Sequence, residues 1–309
     1  MNLKLDEKKI RKGKAVGLPY VGSKKKISKK IVEIIKQNFG TDKTVYDLFG
    51  GGGAITAELL INDMNVVYNE IDKSVCDMLC AVLVEDREWL KTLLVSREEF
   101  MAIREKDIKS VDDEVKLLVN SFGNDRKDYL YSNNISAIKY QVAKEIIANE
   151  NTFIGYKKTE TYLNAVEKYE VELGFLHKKE KGKILQQLER LQQLGQLQQL
   201  ERLQQLQRLD LLEVTNKDYR EYSDISNSII YLDPPYENST NNYKGGSFDS
   251  IAFYDWAVEM SKDNIVLISS YEISDPRFEV VYEFKTARST FQNGKQGKRY
   301  EKLFMVKMA

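Results

Sequence analysis

Thr44-Val45-Tyr46-Asp47-Leu48-Phe49, followed at once by Gly50-Gly51-Gly52-Gly53 and Ala54, is the stretch from which the fold is read. Its first six residues are mostly β-branched, aromatic or apolar, which predicts a buried strand. The glycines predict a turn, and Ala54 to Ile61 a helix. Strand, glycine turn and helix open a nucleotide-binding α/β fold. The glycines take positive φ and let a ligand approach the backbone, and the helix N-terminus favours negative charge. A dinucleotide fingerprint, G-x-G-x-x-G, is missing, because Ile55 and Thr56 stand where its third glycine would be. A nicotinamide oxidoreductase is therefore a remote reading. Met64 to Asn69 predicts a second strand, with Glu70 at its tip. An acid there, roughly 20 residues past the glycine turn, is the usual partner of ribose hydroxyls. Glu70 could also cap a helix, but beside the glycine turn ribose binding is preferred. The combination points to an adenosine cofactor without a pyrophosphate, and S-adenosyl-L-methionine has no phosphates to bind.

A second landmark is Asp233-Pro234-Pro235-Tyr236, after the apolar run Ile229-Ile230-Tyr231-Leu232. Each proline fixes its own φ, donates no N–H and biases the preceding residue to extended geometry. The result is a stiff corner at a strand end, with an acid and an aromatic ring held on either side. A carboxylate, outward carbonyls and a flat ring could hold an amino group on a planar ring; a plain proline turn would read the same. Glu213 to Asn216 is extended, with Asp218-Tyr219 in the turn after it. Phe248 to Met260 predicts a helix, and Asn264 to Ser269, Phe278 to Phe284 and Leu303 to Val306 predict strands. Between the last two, Lys295, Lys298 and Arg299 sit in a glycine-bearing hairpin tip suited to phosphates, or simply to solvent.

Before the first strand, Val16 to Ser23 is an apolar, glycine-bearing loop, and Lys24-Lys25-Lys26 leads into an amphipathic helix to about Asn38. Lysines at a helix start oppose the helix dipole, so they serve either a ligand's anionic groups or a solvated face. From Val75 to about Ile108 the chain reads as helical, and Val111 to Val119 as a helix or buried segment. The loop that follows carries Asn120, Asn124, Arg126, Lys127 and Tyr129, types that contact phosphates, base edges and unstacked bases. Ser136 to Ala148 and Thr161 to Leu173 predict helices, the second leading to the basic stretch His177 to Lys183. In residues 185–212 leucine recurs at every third position. On a helix each such step falls about 60° short of a full turn, so no coiled-coil seam forms. Helix and a stacked solenoid both remain open, and the segment reads as an expandable spacer without chemistry.

The 309 residues carry 47 Lys and Arg against 47 Asp and Glu, so DNA binding must rest on local patches. One histidine excludes His-dependent triads and His-rich zinc sites, and two cysteines argue against a disulfide framework. No leader-like or membrane-length apolar run is present, so a soluble cytoplasmic protein is expected.

Taken in order, these pieces resemble the Dam-type (alpha group) adenine-N6 DNA methyltransferases, whose motif order is X, I, target-recognition region, IV. The resemblance rests on Pro19-Tyr20-Val21-Gly22-Ser23-Lys24 for motif X and on Asp47-Leu48-Phe49-Gly50-Gly51-Gly52-Gly53-Ala54 for motif I. Asn69-Glu70-Ile71-Asp72 matches the acidic motif, Asp218-Tyr219 the family's Asp-Phe pair, and Asp233-Pro234-Pro235-Tyr236 motif IV. The two ends of the chain match, the middle only loosely.

The resemblance implies an α/β, Rossmann-like S-adenosylmethionine-dependent methyltransferase sheet with a mainly helical target-recognition insertion. Residues 1–74 and 212–309 would be catalytic and 75–211 would recognise the target. Tyr20, Gly22, Lys24 and the turn Gly50 to Gly53 would surround the methionine part of the cofactor, Glu70 its ribose, and Asp218 and Tyr219 its adenine. Asp47, Phe49, Ala54 and Ile71 belong to the same cofactor motifs. Asp233 and the Pro234 carbonyl would accept the target amino group, next to Pro235, and Tyr236 would stack on the base. The expected partner is double-stranded DNA, the acceptor an adenine flipped out of the helix, in a restriction-modification or related setting. A monomer that needs no metal is expected. Asp at 233 leans towards adenine over cytosine-N4, and Pro19 stands where GATC-reading members carry a lysine. The alternatives are an RNA amino-methyltransferase and a catalytically silent DNA-binding relative.

Overall fold

Strand β1, Val45–Asp47, lies between two parallel neighbours, β2 (Val66–Asn69) and β4 (Ile229–Leu232). Strand β3 (Leu212–Thr215) extends the sheet beyond β2, and β5 (Ile265–Ser270) beyond β4, both parallel. Strand β7 (Tyr300–Val306) runs antiparallel between β5 and β6 (Phe278–Arg288). The order is β3-β2-β1-β4-β5-β7-β6, seven strands among the described residues. This is the α/β, Rossmann-like sheet expected. The computed structural model describes residues 2–149, 152–172, 189–237, 248–288 and 300–307.

Side-chain alternation along β4 explains the two faces. Ile229 and Tyr231 join one core with Ile31, Ile34, Ile35, Leu59 and Leu60, from helices α1 (Ser28–Phe39) and α2 (Ala54–Ile61). Ile230 and Leu232 join the other with Phe253, Ala257 and Met260. Being covered on both faces, β4 needs the continuous apolar run that its sequence carries. Helix α2 is apolar all round, and its Glu58 is buried against Arg11, which donates to both carboxylate oxygens at 2.9 and 2.7 Å. The Lys24–Lys26 segment is a 3₁₀ turn, so α1 starts later than its periodicity suggested.

The chain divides into two units: Met1–Gly17, Ser23–Cys76 and Leu206–Ala309 form one, Leu18–Gly22 and Asp77–Gln205 the other. The sheet lies in the first. Helix α3, Lys73–Val84, begins in the first and runs into the second. The expected helical stretch 75–108 is broken into α3, α4 (Arg87–Thr92) and α5 (Arg97–Arg104). The breaks lie at side-chain caps, where Asp86 accepts from Trp89 N at 3.0 Å and Ser96 from Glu99 N at 3.1 Å. Then come α6 (Val111–Asn120), α7 (Asn133–Ala148) and α8 (Glu160–Glu172).

Of the leucine repeat, Gln192–Gln204 is helix α9, which packs on α4, α6 and α7; residues 185–188 lie outside the described residues. Leu194, Leu197, Leu200 and Leu203 are all buried. The three steps from Leu194 to Leu203 cover about half the cylinder, so α9 is embedded over half its circumference. The reading of this segment as a spacer is corrected: α9 is part of the unit's interior.

Among the described residues no helix is long and apolar enough to cross a membrane.

Candidate active site

Three acids stand at the carboxyl ends of three adjacent parallel strands. Asp47 ends β1 and is level with Tyr68 on β2 and Tyr231 on β4, so Glu70 and Asp233 each lie two residues beyond it on either side. Ligands of open α/β sheets lie beyond these strand ends. Asp47 is 1 % exposed; its Oδ2 accepts from Thr56 N at 3.2 Å and from the Thr56 hydroxyl at 2.7 Å. Its Oδ1 is buried with no hydrogen-bond partner. Burial pushes the carboxyl up to about 7, against the Thr56 bonds, and the charges of Asp233 and Glu70 add to the rise. Glu70, also raised by burial, accepts from Gly51 N at 2.8 Å and from Asp72 N at 2.9 Å.

The glycine turn is fastened to β2. Gly50 N donates to Asn69 O at 2.8 Å, and the Tyr68 hydroxyl to Gly51 O at 2.7 Å. A Cβ on Gly50 would lie 2.2 Å from the Tyr68 ring, so no larger residue fits. Gly51 and Gly53 have φ of 49° and 68°, the left-handed region that glycine enters freely. Gly53 caps α2, whose first residue, Ala54, is buried.

The D-P-P-Y corner follows β4 with trans peptides. Lys24 Nζ lies 2.7 Å from Asp233 Oδ1, donates to the Tyr236 hydroxyl at 2.6 Å and stands 3.6 Å from Glu301 Oε1. The Tyr236 hydroxyl donates to Glu301 Oε1 at 2.8 Å, and the ring meets Tyr271 edge-on at 4.8 Å. Burial raises Asp233 to about 6, with Lys24 pulling the other way and Glu301 adding to the rise. Burial works against the Lys24 ammonium, but Asp233 and Glu301 outweigh it and hold its pKa above the ordinary value. Burial also lifts the Tyr236 phenol far above its usual range.

Asp218 caps the 3₁₀ turn Tyr219–Tyr222 and pairs with Arg220 at 2.8 Å, whose bonds hold its carboxyl below the usual range. Tyr219 packs on Phe49 at 5.6 Å and on Trp256 at 5.1 Å, the latter from helix α10, Ser250–Met260. Two residues singled out in distant motifs, Phe49 and Tyr219, thus share one aromatic group. Ile71 is half-buried beside Glu70. Tyr20 and Gly22 fall in the second unit and Lys24 in the first.

The residues expected to face nucleic acid fare unevenly. Asn120 is fully buried and donates to Leu93 O at 2.8 Å and Lys116 O at 2.7 Å. Tyr129 is buried too, its hydroxyl donating to Val95 O at 3.0 Å. Both are corrected from surface contacts to interior bonds: their polar atoms satisfy backbone groups that burial would leave unpaired. Asn124 donates to Leu118 O at 3.0 Å, and Arg126 pairs with Glu114 at 2.7 Å. Lys127 is exposed. Lys295, Lys298 and Arg299, like the basic stretch 177–183, lie outside the described residues.

Sequence reasoning missed Glu301, Ser269 and Thr56. Glu301 carried a signal, since in Tyr300-Glu301-Lys302-Leu303 it shares strand parity with the buried Leu303. A charge at an inward strand position needs a partner. Among the described residues no group of three or more His, Cys, Asp or Glu is placed to hold a metal ion.

The family described as D12 class N6 adenine-specific DNA methyltransferase matches residues 20–256. A crystal structure of a presumed methylase from Haemophilus influenzae is similar at 9 % identity and a TM-score of 0.32, covering 91 % of this chain and 88 % of that one. No curated protein matches the sequence.

Proposed function

The chain belongs to the family of D12 class N6 adenine-specific DNA methyltransferases, and from that premise we propose that it methylates the N6 amino group of an adenine flipped out of double-stranded DNA, with S-adenosyl-L-methionine as donor. The observation that carries the donor assignment is the run of acids Asp47, Glu70 and Asp233 along adjoining strand ends, with Asp47 Oδ1 buried and unpartnered. Such an edge repels a pyrophosphate and suits a ligand that brings cations. S-adenosylmethionine carries a sulfonium and an ammonium, so the residues fit it.

When bound, that cofactor supplies an electrophilic methyl group, whose bonding pair stays on sulfur as the methyl leaves. On this reading the Gly50 to Gly53 turn and Asp47 hold its methionine part, with Lys24 from motif X. Glu70, fixed by Gly51 N and Asp72 N, takes the ribose hydroxyls, and Ile71 lies beside it. Phe49, Asp218 and Tyr219 flank the adenine, with Ala54 closing the helix end below the turn. Asp233 and the Pro234 carbonyl accept the two N6 hydrogens, which orients the nitrogen lone pair towards the methyl and favours its developing positive charge. Pro235 keeps the corner stiff, and Tyr236 offers its ring to the base. As the N–C bond forms, the nitrogen loses one proton, and Asp233, raised to about 6, is placed to receive it. A base inside a duplex cannot reach this corner, so it is flipped. Residues 75–211 would read the target, with Lys127, Lys295, Lys298 and Arg299 on phosphates. Residues 1–74 and 212–309 would form the catalytic part, acting as a monomer.

Incubating the protein with tritiated S-adenosylmethionine and duplex DNA, then digesting to nucleosides, tests the reading. N6-methyladenine in the DNA is expected. Transfer to RNA alone would overturn it.

A further inference from the structure

Glu301 lies outside every motif, yet the hydrogen bonds of the catalytic corner converge on it. It is 4 % exposed, and its Oε1 accepts from Tyr236 at 2.8 Å and from the Ser269 hydroxyl at 2.8 Å. The same oxygen is 3.6 Å from Lys24 Nζ, which is itself 2.7 Å from Asp233. We propose that Glu301 is a positioning residue for the methyl acceptor, holding Lys24 and Tyr236 so that Asp233 is free to take the target amino group. The proposal rests on the amino-methyltransferase reading above.

The argument is one of charge. Lys24 occupies one oxygen, Oδ1, of the Asp233 carboxylate that an incoming amino group needs. A buried ammonium leaves one carboxylate only for another anion within reach, because an unpaired buried charge is costly. Glu301 is that second anion, and the Tyr236 hydroxyl bridges the way, 2.6 Å from Lys24 and 2.8 Å from Glu301. Two carboxylates around one ammonium also leave the corner net negative. That suits a nitrogen that becomes positive as it attacks. Ser269, on β5, donates to the same Glu301 oxygen as Tyr236 and fixes it a second time.

Charge and packing make opposite forecasts for two variants. Glu301→Gln keeps the size and loses the charge; Glu301→Asp keeps the charge and loses a methylene. The expected result is that Glu301→Gln lowers kcat on duplex DNA by about 100-fold, the scale of a misplaced reacting group. Glu301→Asp is at least about tenfold faster than Glu301→Gln, a rescue that packing alone would not give. A Gln variant as fast as the Asp variant overturns the proposal. Should Glu301→Gln fail to fold by circular dichroism, Tyr236→Phe removes only the hydroxyl that Glu301 holds. An unchanged kcat there overturns the proposal equally. A parent protein that methylates no DNA defeats the underlying reading instead, and is seen before any variant is made.

Discussion

Lys24 Nζ and Asp233 Oδ1 are held 2.7 Å apart with their side chains 11 % and 18 % exposed, joining the segment before α1 to the end of β4. The pairing sets the acid limb of the reaction. Lys24 favours the ionised Asp233 against burial, which leaves the carboxyl at about 6. Replacing Lys24 with Met removes the lowering partner, so the Asp233 pKa rises. If ionised Asp233 is the working form, the rising limb of kcat/KM against pH, which reports the free enzyme, lies near 6 in the parent and moves upward in Lys24→Met. A limb that stays in place separates the limb from Asp233.

Asp233→Ala removes the acceptor altogether. Loss of a preorganised group aimed at developing charge costs about 100- to 1000-fold in kcat. Single-turnover methylation is expected to fall at least that far. The affinity for S-adenosylmethionine, by calorimetry, is expected to fall far less than kcat, because Asp47 and Glu70 remain.

Asp47 ties cofactor affinity to protons. Its folded-state pKa, about 7, is above the ordinary value of 3.8. The unfolded carboxyl therefore ionises first, and between pH 4 and 7 the Asp47 contribution to the stability of the free protein falls as pH rises. Asp47→Asn should remove this decline in urea titrations at pH 5 and pH 8. A cationic ligand beside Asp47 favours its ionised form, so binding releases a proton below pH 7 and affinity climbs towards it. Calorimetry in buffers of different ionisation enthalpy measures that proton directly.

Gly50→Ala puts a methyl into the Tyr68 ring, 2.2 Å away. Overpacking of this kind costs about 1–3 kcal/mol, read as a lower urea midpoint. Because the same turn carries Gly51 N to Glu70, cofactor affinity should fall as well.

Leu200→Ala tests whether the leucine repeat is interior. A fully buried leucine cut to alanine costs about 2–5 kcal/mol, against a few tenths for an exposed spacer. Urea unfolding at constant slope decides between them.

The sheet was legible because its signals are local. Ile229-Ile230-Tyr231-Leu232 is apolar on both faces, and Asp233-Pro234-Pro235-Tyr236 stops it without ambiguity. Gly50 to Gly53 announces a turn that only glycine can make. Glu301 was not legible, since its partners Lys24, Tyr236 and Ser269 are brought to it by strand order. Asn120 and Tyr129 misled for a related reason. Asparagine and tyrosine serve a buried bond or a base edge equally well, and burial decides between the two. The repeat stayed open because leucine at every third position has neither the period of a helix nor that of a strand.

Helix α9 behaves as a screw thread. With leucine at every third residue, a slide of three residues, about 4.5 Å with a 60° turn, brings each leucine into its neighbour's seat. The same slide carries Gln196 to the place of Gln193, so the hydrogen bond to Asn120 does not tell one setting from the next. Glu201 does: it pairs with Arg87, whereas Gln198 and Gln204 lie three residues to either side. Where leucine and glutamine recur alike, the ion pair of Glu201 marks the registration of this helix, and the thread stops where Arg87 catches it.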